Sequence, residues 1–337
     1  MLINLFFLFI LQFFILFVLS KFAYKVNLLD YPNKRKIHSK PTPYIGGLAL
    51  GLYYCLVIYI AKIEYSMINL ILLYSLIISL VGFVDDKFDI NPIFKLLLQS
   101  IPVYLLISKG LYLTDIGEYK YIGIINLGYF SKIFTFLCCL LIINSFNYSD
   151  GIDGLLSSLF INIFFSFALI CFFHEKISII YSFIHIIVPV LVFFLFNVSF
   201  LKLPKTFLGD SGSTLLGFIT GFVMIFLYSN LLIKPSILIW PVALIIYDFL
   251  GTNLVRIFKK KNLFQSGDDH FHYQISKKYN FRILEINLII NSINFLITLL
   301  GFGIYYFFGS LFSLIGFVVI FFIFLYFKIY FLNLKKI

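Results

Sequence analysis

The chain has 337 residues, 61% hydrophobic and only 12% charged, with 45 Phe and a mean hydropathy of +1.03. A soluble domain carries about 25% charged residues, so a chain this poor in charge cannot clothe a globule in water. The net charge of +11 then points to lipid headgroups and anionic substrates, because no Lys/Arg stripe with interleaved aromatics reads as a nucleic-acid surface.

A helix needs roughly 17–25 apolar residues to cross a bilayer. Eleven runs come near that length: 2–20, 44–61, 67–84, 93–108, 130–146, 155–173, 177–196, 213–229, 235–255, 283–305 and 309–331. The ten-residue alternating pattern of a barrel is absent. The fold class is therefore all-α: a polytopic membrane protein forming one embedded domain over 1–337. The first run lacks a basic start and a small-residue cleavage site, and reads as a span and not a removed signal. Cys55, Cys138, Cys139 and Cys171 all lie in apolar runs without metal or redox spacing, and read as small buried hydrophobes.

Lys and Arg set the orientation. Twenty of the 26 fall at one end of these spans, in the odd-numbered loops and the C-terminal end, and six at the other. This places the N-terminus outside and the C-terminus in the cytoplasm. Of the 15 acids, only Glu64, Asp115, Glu118 and Glu175 fall outside. The positive-inside rule does not demand that second asymmetry, and charge near lipid usually has a function.

The cytoplasmic loops, near 21–43, 85–92, 147–154, 197–212 and 256–282, carry the motifs. The first holds "DYPNKRKIHSKPTPYIGG", in which basic groups, Lys40 and His38 among them, suit phosphate; plain positive-inside topology accounts for them equally. The next holds "VDDKFDINP", and clustered carboxylates there suit Mg²⁺ shared with substrate phosphates. Helix capping explains Asp89 or Asn91, with Pro92 first in the helix, but not Asp85 and Asp86. In "NSFNYSDGIDGLLSS", Asn144, Asn147, Asp150 and Asp153 recur every three residues between two apolar runs. "FLGDSGSTLLGF" puts Asp210 before a Gly/Ser turn whose free N–H groups suit an anion, or else serve as an ordinary cap. "SGDDHFHYQI" carries His270 and His272 beside Asp268 and Asp269. No Cys supports zinc there, and the basic setting favours phosphate or sugar contacts.

Taken together, "IHSKPTPYIGG", "DDKFD", "NSFNYSDGIDGL", "FLGDSGS" and the His motif resemble, in order, the bacterial polyprenyl-phosphate N-acetylhexosamine-1-phosphate transferases (the glycosyltransferase 4 family). Asp-Asp-x-x-Asp, ending at Asp89, resembles the undecaprenyl-phosphate N-acetylglucosamine-1-phosphate branch and not the peptidoglycan lipid I branch, which usually has Lys at the third position. There are three departures: Tyr44 stands where this branch often has Arg, the stretch from Asn197 to Asp210 is longer, and the His motif reads His-x-His-Tyr.

The resemblance implies transfer of a sugar 1-phosphate from a UDP-sugar to undecaprenyl phosphate, releasing UMP, in the bacterial inner membrane with the site on its cytoplasmic face. That step begins a cell-envelope polysaccharide of the O-antigen, teichoic acid or common-antigen type. The resemblance also implies Mg²⁺, with Mn²⁺ as a substitute, held by Asp210 and Asn147. Asp85 and Asp86 would act on the lipid phosphate, so that Asp85, Asp86 and Asp210 form the catalytic set. Asp150, Asp153 and Phe207 would contact the nucleotide, with Phe207 stacking. Lys40, Asn144, His270 and His272 complete the substrate-binding residues. Relatives of this kind are often homodimers. Two other readings compete. A membrane prenyltransferase would need two similar Asp-rich clusters, and the second cluster here does not look like the first. A transporter would place its charges near mid-membrane in repeated halves, and no repeat is visible.

Overall fold

The computed structural model describes residues 2–32, 40–61, 63–262, 267, 269–279 and 281–331. His38, the neighbouring Lys34, Arg35 and Lys36, and Asp268 lie outside the described residues. In chain order the elements are α1 (Leu2–Lys25), β1 (Leu29–Asp30), β2 (Thr42–Pro43), α2 (Gly46–Ala61), α3 (Ser66–Phe88), α4 (Pro92–Ser108), β3 (Asp115–Tyr119), β4 (Gly123–Asn126), α5 (Ser131–Ser149), α6 (Leu155–Phe173) and α7 (Ile177–Asn197). They continue with α8 (Gly209–Leu231), α9 (Pro235–Leu238), α10 (Ala243–Phe258), α11 (Phe271–Tyr279), α12 (Ile283–Phe308) and α13 (Ser310–Tyr326). Among the described residues the strands form two antiparallel pairs, β1–β2 and β3–β4.

The chain is an all-α polytopic membrane protein. Among the described residues nine helical stretches are long and apolar enough to cross a bilayer, with α9 and α10 together making one of them. Gly46–Ala61 and Pro92–Ser108 are shorter apolar helices, which completes the eleven runs expected. The boundaries shift where it matters. Helix α3 runs on to Phe88, so Asp85 and Asp86 occupy its last turn. Helix α5 runs to Ser149 and includes Asn144 and Asn147. Helix α8 begins at Gly209, so Asp210 and Ser211 sit in its first turn and not in a loop before it. In each case the helix simply continues past the apolar run, because the polar residues there find partners on neighbouring helices.

Helix α8 is the axis of the bundle. It packs on α3, α5 and α2, and every residue from Ser211 to Val223 is buried. Its N-terminus is seated between glycines: a side chain at Gly82 of α3 or at Gly47 of α2 would run into the Ser211 backbone. The two helices can approach the start of α8 only because these positions lack a Cβ. Gly82→Val is therefore expected to displace Asp210 and to cost about 1–3 kcal/mol, the range for overpacking. The thermal unfolding midpoint and the transfer rate would fall together.

Helix α12 closes the bundle with a polar seam. Asn287 donates to Asp153 O at 2.8 Å, Asn291 to Ser158 Oγ at 2.8 Å and Asn294 to Pro241 O at 3.1 Å. Where lipid is as apolar as the side chains, such hydrogen bonds are what hold helices in register.

Candidate active site

The C-terminal ends of α3, α5 and α7 and the N-terminal ends of α4, α8 and α12 meet at one end of the bundle. Those helix ends, together with the loops between them, carry nearly all the predicted site residues. The β3–β4 hairpin belongs to the opposite end, where Gly117 packs on Pro235.

At the centre, Lys95 of α4 bridges two carboxylates. Its Nζ lies 2.7 Å from Asp85 and also pairs with Asp210. Lys95 points here because α4 starts sharply: the Asn91 side chain accepts from Ile93 N at 2.9 Å, with Pro92 in the first turn. Asn91, not Asp89, is thus the cap, while Asp89 turns the chain in the left-handed region, φ 49°. Asp86 has a different task. Its two oxygens accept from Asp210 N at 2.8 Å and Ser211 N at 3.0 Å. The expectation that capping does not explain Asp86 is corrected: it caps α8, a helix far away in sequence, by taking two of that helix's free N–H groups. The same bond fixes where Asp210 stands.

Asn147 lies beside Asp210 and donates to Ser213 Oγ at 2.9 Å. One turn back, Asn144 reaches Leu140 O at 2.8 Å and Gln99 of α4 at 3.4 Å, so it faces the α4–α5 seam and not Asp210. Asp85, Asp210 and Asn147 are all oxygen donors gathered around an ammonium group, a donor set that fits a hard divalent cation. Among the described residues no three Asp, Glu, His or Cys side chains form a metal cage by themselves.

The second wall is the turn 150–154 between α5 and α6. Burial, reinforced by the charges of Asp210 and Asp153, pushes the Asp150 carboxyl up to about 7. Asp153 pairs with Lys205 at 2.5 Å, and Lys205 also lies 5.2 Å over the Phe207 ring. Asn197 ties the two loops together: its side chain accepts from Gly154 N at 2.5 Å and donates to Thr206 O at 2.8 Å. Gly154 makes this possible by holding φ at 77°, a conformation that suits glycine. The Phe207 backbone is clamped as well, its N–H on Pro43 O at 2.7 Å and its carbonyl accepting from Gly46 N at 2.9 Å. Lys40 is exposed, two residues before β2.

The third wall is the His segment. His270 packs edge-on against Tyr148, with ring centroids 4.9 Å apart, and lies parallel to His272 at 5.8 Å. His272 is buried and presses on Gly151, while Tyr273 donates to Gly151 O at 3.0 Å. Arg256 of α10 grips Asp269 through two bonds, 2.9 and 2.7 Å. Burial, partly opposed by the Asp248 charge, pushes the His272 ring down to about 3. At neutral pH the His272 ring is therefore uncharged and not a cation for phosphate.

The sign of the resulting pH effect follows. Between about 3 and the ordinary 6.5 the unfolded chain binds this proton and the folded chain does not, so stability falls as pH drops from 7 toward 4. His272→Gln is expected to flatten that slope in thermal unfolding; an unchanged slope would mean the ring is not held neutral.

The site thus brings Asp85, Asp86, Asp210 and Asn147 together and lines up Asp150, Asp153 and Phe207 beside them. It sets His270 and His272 across the Gly151 turn, with Lys40 and Asn144 farther out. It adds residues that the sequence did not single out, Lys95, Lys205, Arg256 and Asp248, and gives Tyr273 a partner.

Carboxylates, an ammonium and a helix N-terminus converging at the membrane edge suit phosphate chemistry, and comparison with known proteins agrees. Residues 68–228 match the model of glycosyl transferase family 4. The chain is similar to undecaprenyl-phosphate alpha-N-acetylglucosaminyl 1-phosphate transferases. The Yersinia pestis protein is 29% identical over 266 residues, 78% of this chain and 73% of the relative. The Escherichia coli K12 protein is 29% identical over 266 residues, 78% and 72% of the two chains. The Pasteurella multocida Pm70 protein is 29% identical over 279 residues, 81% and 78%.

Proposed function

We propose that the protein transfers an N-acetylhexosamine 1-phosphate from its UDP-sugar to undecaprenyl phosphate, releasing UMP, at the cytoplasmic face of a bacterial inner membrane. The observation that carries this reading is the Asp85–Lys95–Asp210 cluster beside Asn147, at the ends of membrane-spanning helices. The acceptor brings its phosphate on a lipid tail, which explains why such chemistry stands at a bilayer edge. The relatives' names supply the acceptor and the sugar class.

In this reaction an oxygen of the lipid phosphate attacks the sugar-linked phosphorus. A new P–O bond forms, and the bond from that phosphorus to the oxygen of the uridine-linked phosphate breaks. UMP leaves with that oxygen and its electron pair. The lipid phosphate is already largely ionised at pH 7, its second pKa being about 6, so no obligatory base is needed. The difficulty is bringing two anions together, which makes positioning and charge compensation the main tasks. A bound Mg²⁺ would neutralise charge on the donor diphosphate; Asp210 and Asn147 would hold it.

Lys95 is placed to hold the acceptor phosphate once its partner carboxylates are engaged elsewhere. Asp86 keeps Asp210 in register through the start of α8. Phe207 offers a ring for uracil, steadied by Lys205, with Asp150 and Asp153 along the nucleotide. His270 and Lys40 serve phosphate or sugar. The competing prenyltransferase reading is disfavoured by the second wall: the Asn147–Asp153 turn is braced by Asn197 and Lys205 and does not repeat the Asp85–Asp89 cluster.

The test incubates purified protein with Mg²⁺, undecaprenyl phosphate and a panel of UDP-sugars. UMP released with one donor, only when lipid and metal are present, would support the proposal and name the sugar. Inorganic diphosphate as the product would support the prenyltransferase instead.

A further inference from the structure

Behind the His segment, inside two apolar spans, lies an ionic cluster that the transfer chemistry above does not use. Asp248 of α10 and Lys328, just past α13, are both buried, and their side chains pair directly. Lys328 also donates to Thr252 Oγ1 and, at 3.4 Å, to the Asp248 carbonyl. An ionisable pair inside the membrane is expensive, and such pairs tend to be functional.

The other side of the same carboxylate faces the His segment. Asp248 Oδ1 accepts from Phe271 N at 3.0 Å, and Oδ2 lies 3.6 Å from His270 Nδ1. If neutralising Lys328 were the carboxylate's whole task, an apolar pair of similar size would serve the bundle at least as well. Instead the charge is directed at the residue on either side of the 270–271 peptide.

We propose that Asp248 is a positioning residue: it fixes the ring orientation and tautomer of His270 from behind, and Lys328 of the terminal helix holds Asp248 in place to do so. A carboxylate can only accept. At 3.6 Å from Nδ1 it stands beyond direct hydrogen-bond reach and acts through its charge, which favours the tautomer with the proton on Nδ1 and leaves Nε2 as the ring nitrogen offered to substrate. The Arg256–Asp269 bonds pin the same segment one residue earlier, which leaves to Asp248 the Phe271 N–H and the setting of the ring. An amide at this position would turn its N–H₂ to Nδ1 and favour the opposite tautomer, much as a serine-protease triad loses activity on Asp→Asn while its geometry stays intact. What His270 binds rests on the transferase reading; the tautomer does not.

The experiment compares wild type, Lys328→Met, Asp248→Asn and the double variant Asp248→Asn/Lys328→Met. Three properties are read: thermal unfolding, UMP release, and the ¹⁵N solid-state NMR spectrum of histidine-labelled protein. The chain has five His, and the His270 signals are those missing from His270→Gln. Lys328→Met alone strands a buried carboxylate and is expected to lower the unfolding midpoint steeply; the double variant, neutral at both positions, should recover it. In both Asp248→Asn proteins transfer should stay at least about tenfold below wild type, with kcat falling more than KM for the nucleotide sugar, and His270 should carry its proton on Nε2. A double variant that recovers wild-type stability, transfer and the Nδ1–H signal together would overturn the proposal and reduce the cluster to a clasp for the terminal helix. If wild type itself releases no UMP, the transferase reading fails, and the His270 signal alone still decides the role of Asp248.

Discussion

Asp210→Asn is expected to abolish transfer, by about 10³-fold or more, the scale seen when a group that compensates charge in a phosphoryl or acyl transition state is removed. The protein should still insert and fold. The Asp86 carboxylate accepts from the backbone of residue 210, not its side chain, at 2.8 Å, so the start of α8 stays capped. Lys95 keeps Asp85 at 2.7 Å, so no ammonium is left stranded. What is lost is one anionic oxygen at the point where α3, α4, α5 and α8 meet. Size-exclusion profile and unfolding midpoint should match wild type while UMP release vanishes. Normal turnover would refute the assignment of Asp210.

Lys95→Met is expected to show the opposite balance of effects. Three carboxylates, Asp85, Asp86 and Asp210, then share a poorly hydrated site with no internal cation. Removing one partner of a buried ion pair costs about 3–5 kcal/mol, and here two acids lose the same partner. In chelator the unfolding midpoint should drop sharply. Millimolar Mg²⁺ should restore part of it, because a ligand that binds only the folded state stabilises it by mass action. Transfer should remain well below wild type even with Mg²⁺, since the acceptor phosphate has lost its ammonium. A variant as stable as wild type in chelator, with no gain on adding Mg²⁺, would show that these carboxylates are not waiting for a cation.

The membrane architecture was readable in the sequence because apolar length is a local property. Each of the eleven runs reports its helix without reference to any other part of the chain. The ends of the helices were less readable. The last turn of α3 and the first of α8 are made of Asp, Gly and Ser, which look like loop until their partners are known. Asp86 illustrates this: its cap partner is α8, and nothing within ten residues of Asp86 announces it.

The site residues were legible as motifs, but their tasks were not. Lys95 and Lys328 read as ordinary positive-inside lysines, yet one is clasped by two acids and the other is buried against Asp248. Asp248 itself is a single acid in the run Ala243–Leu250, "ALIIYDFL", where hydropathy averages it away. His272 has the composition of a phosphate contact, and only its burial against Gly151 shows that it is neutral. Tyr273 binds the Gly151 carbonyl and so links the His segment to the Asp150–Asp153 turn.

The central claim is that the bond broken lies between the two phosphates of the donor. It is tested most directly with two preparations of UDP-N-acetylglucosamine, one labelled with ³²P on the uridine-linked phosphate and one on the sugar-linked phosphate. Each is incubated with wild-type protein, Mg²⁺ and undecaprenyl phosphate, and each is run beside Asp210→Asn. The expected result is uridine-side label in water-soluble UMP and sugar-side label in the lipid fraction, with neither moving in Asp210→Asn. Sugar-side label remaining on soluble UDP while the sugar enters the lipid would contradict the claim, because it would place the cleaved bond between sugar and phosphate.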